Sequence, residues 1–224
     1  MKKYILSKMI KTLRWRTAQF FESLWWRNYL AKKDVNEYLK YKIIYWNKVL
    51  DSIASKVELT QTDYVLDAGC GPAGIFIALK DHKVMAFDPL LDKYNETLPH
   101  FKFEMYPSVK FKTETLESFK NEDQFDVVFC MNAINHVSEL DKAFLTLYNC
   151  TKPGGKIVVS IDAHNKQFFK HLFRLQPADI LHPHQHDLED YKKMLTKLNC
   201  DILLTSLVKK EFLFNHYILV AEKL

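Results

Sequence analysis

The sequence predicts a doubly wound, mostly parallel α/β sheet of seven strands that ends in an antiparallel hairpin strand and follows N-terminal helices. Three observations carry that expectation. Between residues 62 and 161, five short apolar runs alternate with helical patterns, as parallel strands joined by crossover helices require. The last two apolar runs are separated only at Lys209-Lys210, too short a break for a crossover, so they pair antiparallel. The chain of 224 residues is 48% hydrophobic and 14% aromatic with only five Gly and seven Pro, which suits one folded core and excludes collagen-like or disordered character.

Residues 5–26 read as an amphipathic helix, with Leu6, Met9, Ile10, Leu13, Phe20, Phe21 and Leu24 near helical spacing and Thr17 the one polar member of the stripe. A second helix begins at Asp34, with Glu37 completing a capping box, and its face is Val35, Leu39, Trp46, Val49, Leu50 and Ile53. The strands expected next are Tyr64–Ala68, Val84–Asp88, Val109–Lys112, Phe125–Met131, Lys156–Ile161, Ile202–Val208 and Phe212–Ala221. Helical patterns occupy Ala73–Lys80, Glu139–Cys150, Lys166–Leu175 and Leu188–Leu198.

Several function classes drop out early. No apolar run reaches the ~20 residues of a membrane-spanning helix, and Lys8, Lys11, Arg14 and Arg16 interrupt any signal-peptide core. The chain is therefore expected to be cytoplasmic. Cys70, Cys130, Cys150 and Cys200 are too scattered for a disulfide framework or a cysteine zinc site. The formal charge of +5 is uneven: residues 1–60 carry 13 Lys/Arg against 5 Asp/Glu, while the remainder is net negative. A nucleic-acid enzyme concentrates positive charge around its site, so no nucleic-acid partner is expected.

The segment Val65-Leu66-Asp67-Ala68-Gly69-Cys70-Gly71-Pro72-Ala73-Gly74 joins a predicted strand to a predicted helix. Gly69, Gly71 and Gly74 satisfy G-x-G-x-x-G, whose glycines let a ligand approach the backbone at a strand's carboxyl end. Asp67 argues against NAD, because a carboxylate there repels the diphosphate that a helix N-terminus attracts. A phosphate-free sulfonium donor would be attracted instead. Asp88, ending the second predicted strand, stands where an acid can accept hydrogen bonds from both ribose hydroxyls of an adenosine, or serve as a turn residue before Pro89.

These residues resemble the class I S-adenosylmethionine-dependent methyltransferases, over roughly residues 60–224. Asp67-Ala68-Gly69-Cys70-Gly71-Pro72 is similar to the family's first motif, and Asp88 to its ribose-binding acid. Thr113-Glu114-Thr115-Leu116 is similar to the adenine-contacting motif, with Glu114 where an Asp is usual. Phe125–Asn132 resembles the fourth-strand motif, and Pro153-Gly154-Gly155-Lys156 the turn before the fifth strand. The resemblance implies a Rossmann-like fold, S-adenosyl-L-methionine as cofactor, and cofactor contacts from Asp67, Gly69, Gly71, Asp88, Glu114 and Asn132. It also divides the chain into an N-terminal helical extension, residues 1–60, and a methyltransferase domain, residues 61–224.

Cys130-Met131-Asn132-Ala133 lacks the Pro-Pro tetrapeptide of relatives that methylate amino groups of bases or glutamine, and no Cys follows a Pro as in cytosine C5 enzymes. A small-molecule acceptor is therefore expected, with an O-, N- or C-nucleophile, amphipathic or lipid-like acceptors included. Candidate bases are His136 after the fourth strand, His164 after the fifth, and His184 in Leu181-His182-Pro183-His184-Gln185-His186. A metal site from that last cluster is not expected, because its spacing lacks the helical i, i+4 pattern. Residues 1–30 admit three readings: cover for the cofactor cleft, peripheral contact with an anionic membrane through Lys/Arg beside Trp15, Phe21, Trp25 and Trp26, or a packed or partner-binding helix. Rival readings of the whole are an NAD-dependent oxidoreductase and a cofactor-binding scaffold without turnover.

Overall fold

The computed structural model describes residues 17–164, 186–211 and 214–224. Strands β1 (Tyr64–Ala68), β2 (Lys83–Phe87), β3 (Val109–Lys112), β4 (Phe125–Cys130) and β5 (Thr151–His164) run parallel. β6 (Cys200–Lys210) and β7 (Phe214–Lys223) form the predicted hairpin, and β7 lies antiparallel between β5 and β6. The order is β3-β2-β1-β4-β5-β7-β6, the predicted Rossmann-like arrangement. Its winding reverses between β1 and β4, and the crevice outside the carboxyl ends of those strands is where such sheets bind ligands.

Helices cover both faces: α1, described over 17–30, α2 (Val35–Ile53), α3 (Leu91–Thr97), α4 (Leu140–Cys150) and α5 (Leu188–Lys197). Neighbouring strand residues point to opposite layers. Val65, Val127 and Val158 pack with Trp46, Val49 and Ile53 of α2, whereas Leu66, Val128 and Ile157 pack with Phe144 and Leu147 of α4 and Tyr191 of α5. Each such fully buried side chain contributes about 1.5–3 kcal/mol. Asp34 caps α2 through Oδ1, which accepts from the Glu37 N–H at 3.0 Å. Asp187 and Asp190 complete a reciprocal capping box on α5.

Three local expectations are revised, and a fourth is not tested by the described residues. The helix expected over Ala73–Lys80 is two 3-10 turns, Gly71–Ala73 and Ile75–Ala78, separated by Gly74 with ψ −175°. The reason is packing: Ile75, Phe76 and Ile77 are all buried, and a helix with one apolar stripe could not bury three consecutive side chains. Pro153-Gly154-Gly155-Lys156 is not a separate turn but an irregular opening of β5, with the register against β4 shifting between Phe125 and Val127. α3 was not expected; its seven residues are too few for a periodic signal. The helix expected over Lys166–Leu175 lies outside the described residues.

α1 also presents an unexpected face. Phe20 and Phe21, members of its predicted apolar stripe, are 58% and 50% exposed, while Ser23 and Leu30 are buried. No helix among the described residues is long and apolar enough to cross a membrane.

Candidate active site in the crevice between β1 and β4

β1 ends at Ala68 and the chain turns at Gly69, whose φ of +70° suits glycine. A Cβ there would stand 2.5 Å from the Ala133 Cβ, so the close approach of the two loops also requires glycine. The N–H groups of Gly69 and Cys70 both donate to the Phe87 carbonyl, at 2.8 and 3.0 Å, and bind the loop to the end of β2. From α2, the Trp46 indole N–H donates to the Ala73 carbonyl at 2.9 Å. The glycine loop is thus held from two sides.

Asp88, just past β2, is 7% exposed and lines the cleft. Its Oδ2 accepts from the Gly71 N–H at 3.1 Å and its Oδ1 from the Leu90 N–H at 2.9 Å. The turn reading of this residue holds, since the carboxylate closes the turn over Pro89, and the same side chain also faces the cleft. Burial, and next the Glu22 carboxylate, push its pKa up. Gly69, Gly71, Asn132 and His136 line the same cleft.

Asp67 and Glu114 are placed differently from the expectation. Asp67 is 1% exposed and lies beneath the loop, where its carboxylate accepts from the Phe76 N–H at 3.0 Å. A Cβ on Gly74 would collide with that carboxylate, so Asp67 and Gly74 together fix the path of the loop. Burial pushes the Asp67 pKa up to about 7, opposed by backbone hydrogen bonding from Phe76. Asp67 is not among the residues that line the cleft. Glu114 pairs with Lys112 at 2.6 Å, and it is Thr115, Leu116 and Glu117 that line the cleft. Register explains the shift: β3 ends at Lys112, so the first acid past it turns back along the strand end.

At the end of β4, Asn132 takes φ +55°, held by Ser160, whose Oγ accepts from the Asn132 N–H at 2.6 Å. His136 ends a 3-10 turn, Ile134–His136. The backbone of His164 pairs with Phe214 at the end of β5; its side chain, and all of His184, lie outside the described residues.

The N-terminal helices bring residues that the motif reading missed. Glu22 and Trp26 of α1 and Lys42 of α2 line the cleft. The Tyr94 hydroxyl donates to Glu22 at 3.4 Å. Burial raises the Glu22 pKa. Lys42 lies 4.8 and 4.7 Å from the ring centroids of Tyr45 and Trp46, a cation–π arrangement. Burial lowers its pKa to about 8, partly opposed by Asp67. The signal for both charges was periodicity: Lys42 falls at i+4 from Tyr38 and i−4 from Trp46 on the buried stripe, and Glu22 sits between Ala18 and Trp26.

The cleft spans about 1020 Å³ of empty space, open solvent at its mouth included. Apolar Leu116, Ala133 and Val137 suit an adenine ring, the carboxylates of Asp88 and Glu22 suit a ribose diol, and Lys42 suits an amino-acid carboxylate. A diphosphate fits poorly: two carboxylates flank the loop, and the turns that follow it hold at most four residues, too short for an attracting helix dipole.

Residues 35–205 match the family model described as a methyltransferase domain. A ubiquinone biosynthesis O-methyltransferase of Rickettsia prowazekii (strain Madrid E) is 26% identical over 186 residues, covering 74% of this chain and 73% of its own. Magnesium protoporphyrin IX methyltransferase from Synechocystis PCC 6803, solved with bound S-adenosylhomocysteine, superposes with a TM-score of 0.60 at 19% identity, covering 92% and 95% of the two chains. Geranyl diphosphate C-methyltransferase from Streptomyces coelicolor A3(2) gives 0.63 at 12% identity, covering 80% and 76%. With a family match spanning α2 to β6 and a cleft suited to the same donor, the chain belongs to the methyltransferase domain family, as a class I enzyme dependent on S-adenosylmethionine.

Proposed function

We propose that the protein methylates a hydroxyl oxygen on a small, mainly apolar acceptor, with His136 accepting the proton that oxygen loses. The observation that carries this reading is that His136 lines the same cleft as Asp88 and the glycine loop. The relative at 26% identity is by name a ubiquinone biosynthesis O-methyltransferase, which supports oxygen as the methylated atom.

The bound donor supplies a methyl group on a sulfonium, ready for displacement. The residues of this chain do the remaining work. Asp88 and Glu22 would hold the ribose, Lys42 would hold the carboxylate of the amino-acid part, and Trp26 and Trp46 would exclude water. Such alignment supplies about 7–11 kcal/mol of barrier reduction. The acceptor oxygen would take the methyl group as its proton passes to the His136 imidazole, the sulfonium becoming a neutral thioether. General-base assistance of this kind is worth roughly 10²–10⁴-fold.

The test uses methyl-labelled donor with phenols that carry or lack a prenyl chain. Label on oxygen is expected, more rapidly with the prenylated phenol. His136→Ala should lower kcat by roughly 10²-fold or more while S-adenosylhomocysteine binds as before. Label on nitrogen or carbon, or an undiminished kcat, would overturn the reading.

A further inference from the structure

α1 is inverted relative to an ordinary surface helix. A helix of a soluble domain turns its apolar stripe inward, yet α1 turns Glu22 and Trp26 toward the cleft and leaves Phe20, Phe21 and Trp25 at 50–58% exposure. Trp25 stacks on Tyr29 at 4.8 Å, and Tyr29 is itself 39% exposed. On α2, Tyr41 is 60% and Ile44 47% exposed. An exposed aromatic cluster of this kind marks a surface that is covered in use.

Charge selects what covers it. Lys33 Nζ lies 4.5 Å from the Tyr29 ring centroid and Lys93 Nζ 5.6 Å from that of Phe20. Arg27 and Lys32 are exposed nearby in sequence. The sixteen residues that precede the described part of α1 add six Lys/Arg and no Asp or Glu. A second copy of the chain would bring the same positive charge against itself. An anionic lipid surface is attracted by it, and aromatic side chains with basic neighbours are the composition that settles at the headgroup level.

We propose that the outer face of α1, through Phe20, Phe21 and Trp25, docks the protein on an anionic membrane surface. Because the inner face of the same helix lines the cleft, docking sets the cleft beside the bilayer, where an apolar acceptor would be found. The docking itself is independent of the acceptor.

The test is co-sedimentation of the full chain with phosphatidylcholine vesicles with and without phosphatidylglycerol. Wild-type protein should bind the anionic vesicles, weakly bind the neutral ones, and be released by raised salt. Phe21→Ser/Trp25→Ser should weaken vesicle binding roughly tenfold or more while leaving S-adenosylhomocysteine affinity unchanged, which also reports that the variant is folded. Arg27→Glu provides a second variant with the same expected direction. Absence of binding to anionic vesicles, binding untouched by both variants, or a dimer of wild-type protein that the double variant turns into a monomer would overturn the proposal. Loss of methyl transfer to phenols with vesicle binding intact would count against the proposed acceptor alone.

Discussion

At the amino edge of the sheet, the charged side chains Lys223 and Asp126 have partners within the fold. Lys223 is 7% exposed, and its ammonium donates to Asp123 at 2.6 Å and to the carbonyls of Thr151 and Tyr148 at 2.8 and 3.1 Å. Asp126 accepts from the Tyr64 N–H at 2.8 Å and pairs with Lys152 at 2.6 Å, which holds its carboxyl below the usual range. At the carboxyl edge, Asp67 and Asp88 are buried and Glu22 is half-buried, all three with raised pKa values, and Lys42 is the cation that lines the cleft among the described residues. One edge satisfies its charges internally; at the other, Asp88 and Glu22 face a cleft while Asp67 lies beneath the loop, held by the Phe76 N–H. The difference separates scaffold from binding site, because unmatched buried charge is tolerated where a ligand will answer it.

The sharpest way to break this comparison is at Asp88. Asp88→Ala should weaken S-adenosylhomocysteine binding about 100-fold, as two charge-assisted hydrogen bonds to a diol are lost. Calorimetric titration checks it, and a loss under tenfold would mean that the cleft does not read the ribose there. At the opposite edge, Lys223→Met should cost about 1–3 kcal/mol of stability by leaving buried carbonyls unpaired. Denaturant unfolding measures that cost, and donor affinity should stay unchanged.

A third effect concerns proton linkage. Asp67 titrates near 7 when folded and near 4 when unfolded, so the folded state holds the extra proton between those values. Its contribution to stability is therefore complete below about pH 4 and is lost as the pH rises through 7. Thermal melts of the ligand-free protein should fall in Tm from pH 5 to 7.5, and Asp67→Asn should flatten that fall. Asp88 and Glu22 add slope of the same sign. Equal slopes in both proteins would show that Asp67 keeps an ordinary carboxyl pKa.

The strand pattern was legible because short apolar runs needed only local periodicity, and β7 was legible because three residues cannot make a crossover. Gly69, Gly71 and Asp88 were legible because their spacing is set within one β-loop-β unit. Glu22 and Lys42 were missed for a different reason: their roles arise from contacts across tens of residues, so only their positions on a buried helical stripe hinted at them. Asp67 was recognised but its direction was not, since the collapse of the expected helix into two 3-10 turns decides where its carboxylate points. The inverted face of α1 escaped for the same cause. Periodicity identifies a stripe, and packing decides which stripe faces inward.

The indole hydrogen bond from Trp46 to the Ala73 carbonyl carries a consequence for recombining such enzymes. A helix from the first quarter of the chain is fastened to the backbone of the loop that lines the cleft. Swapping that helix between relatives to alter acceptor choice would therefore change the grip on the donor as well, and chimaeras should be cut upstream of residue 35 so that α2 travels with the loop it steadies.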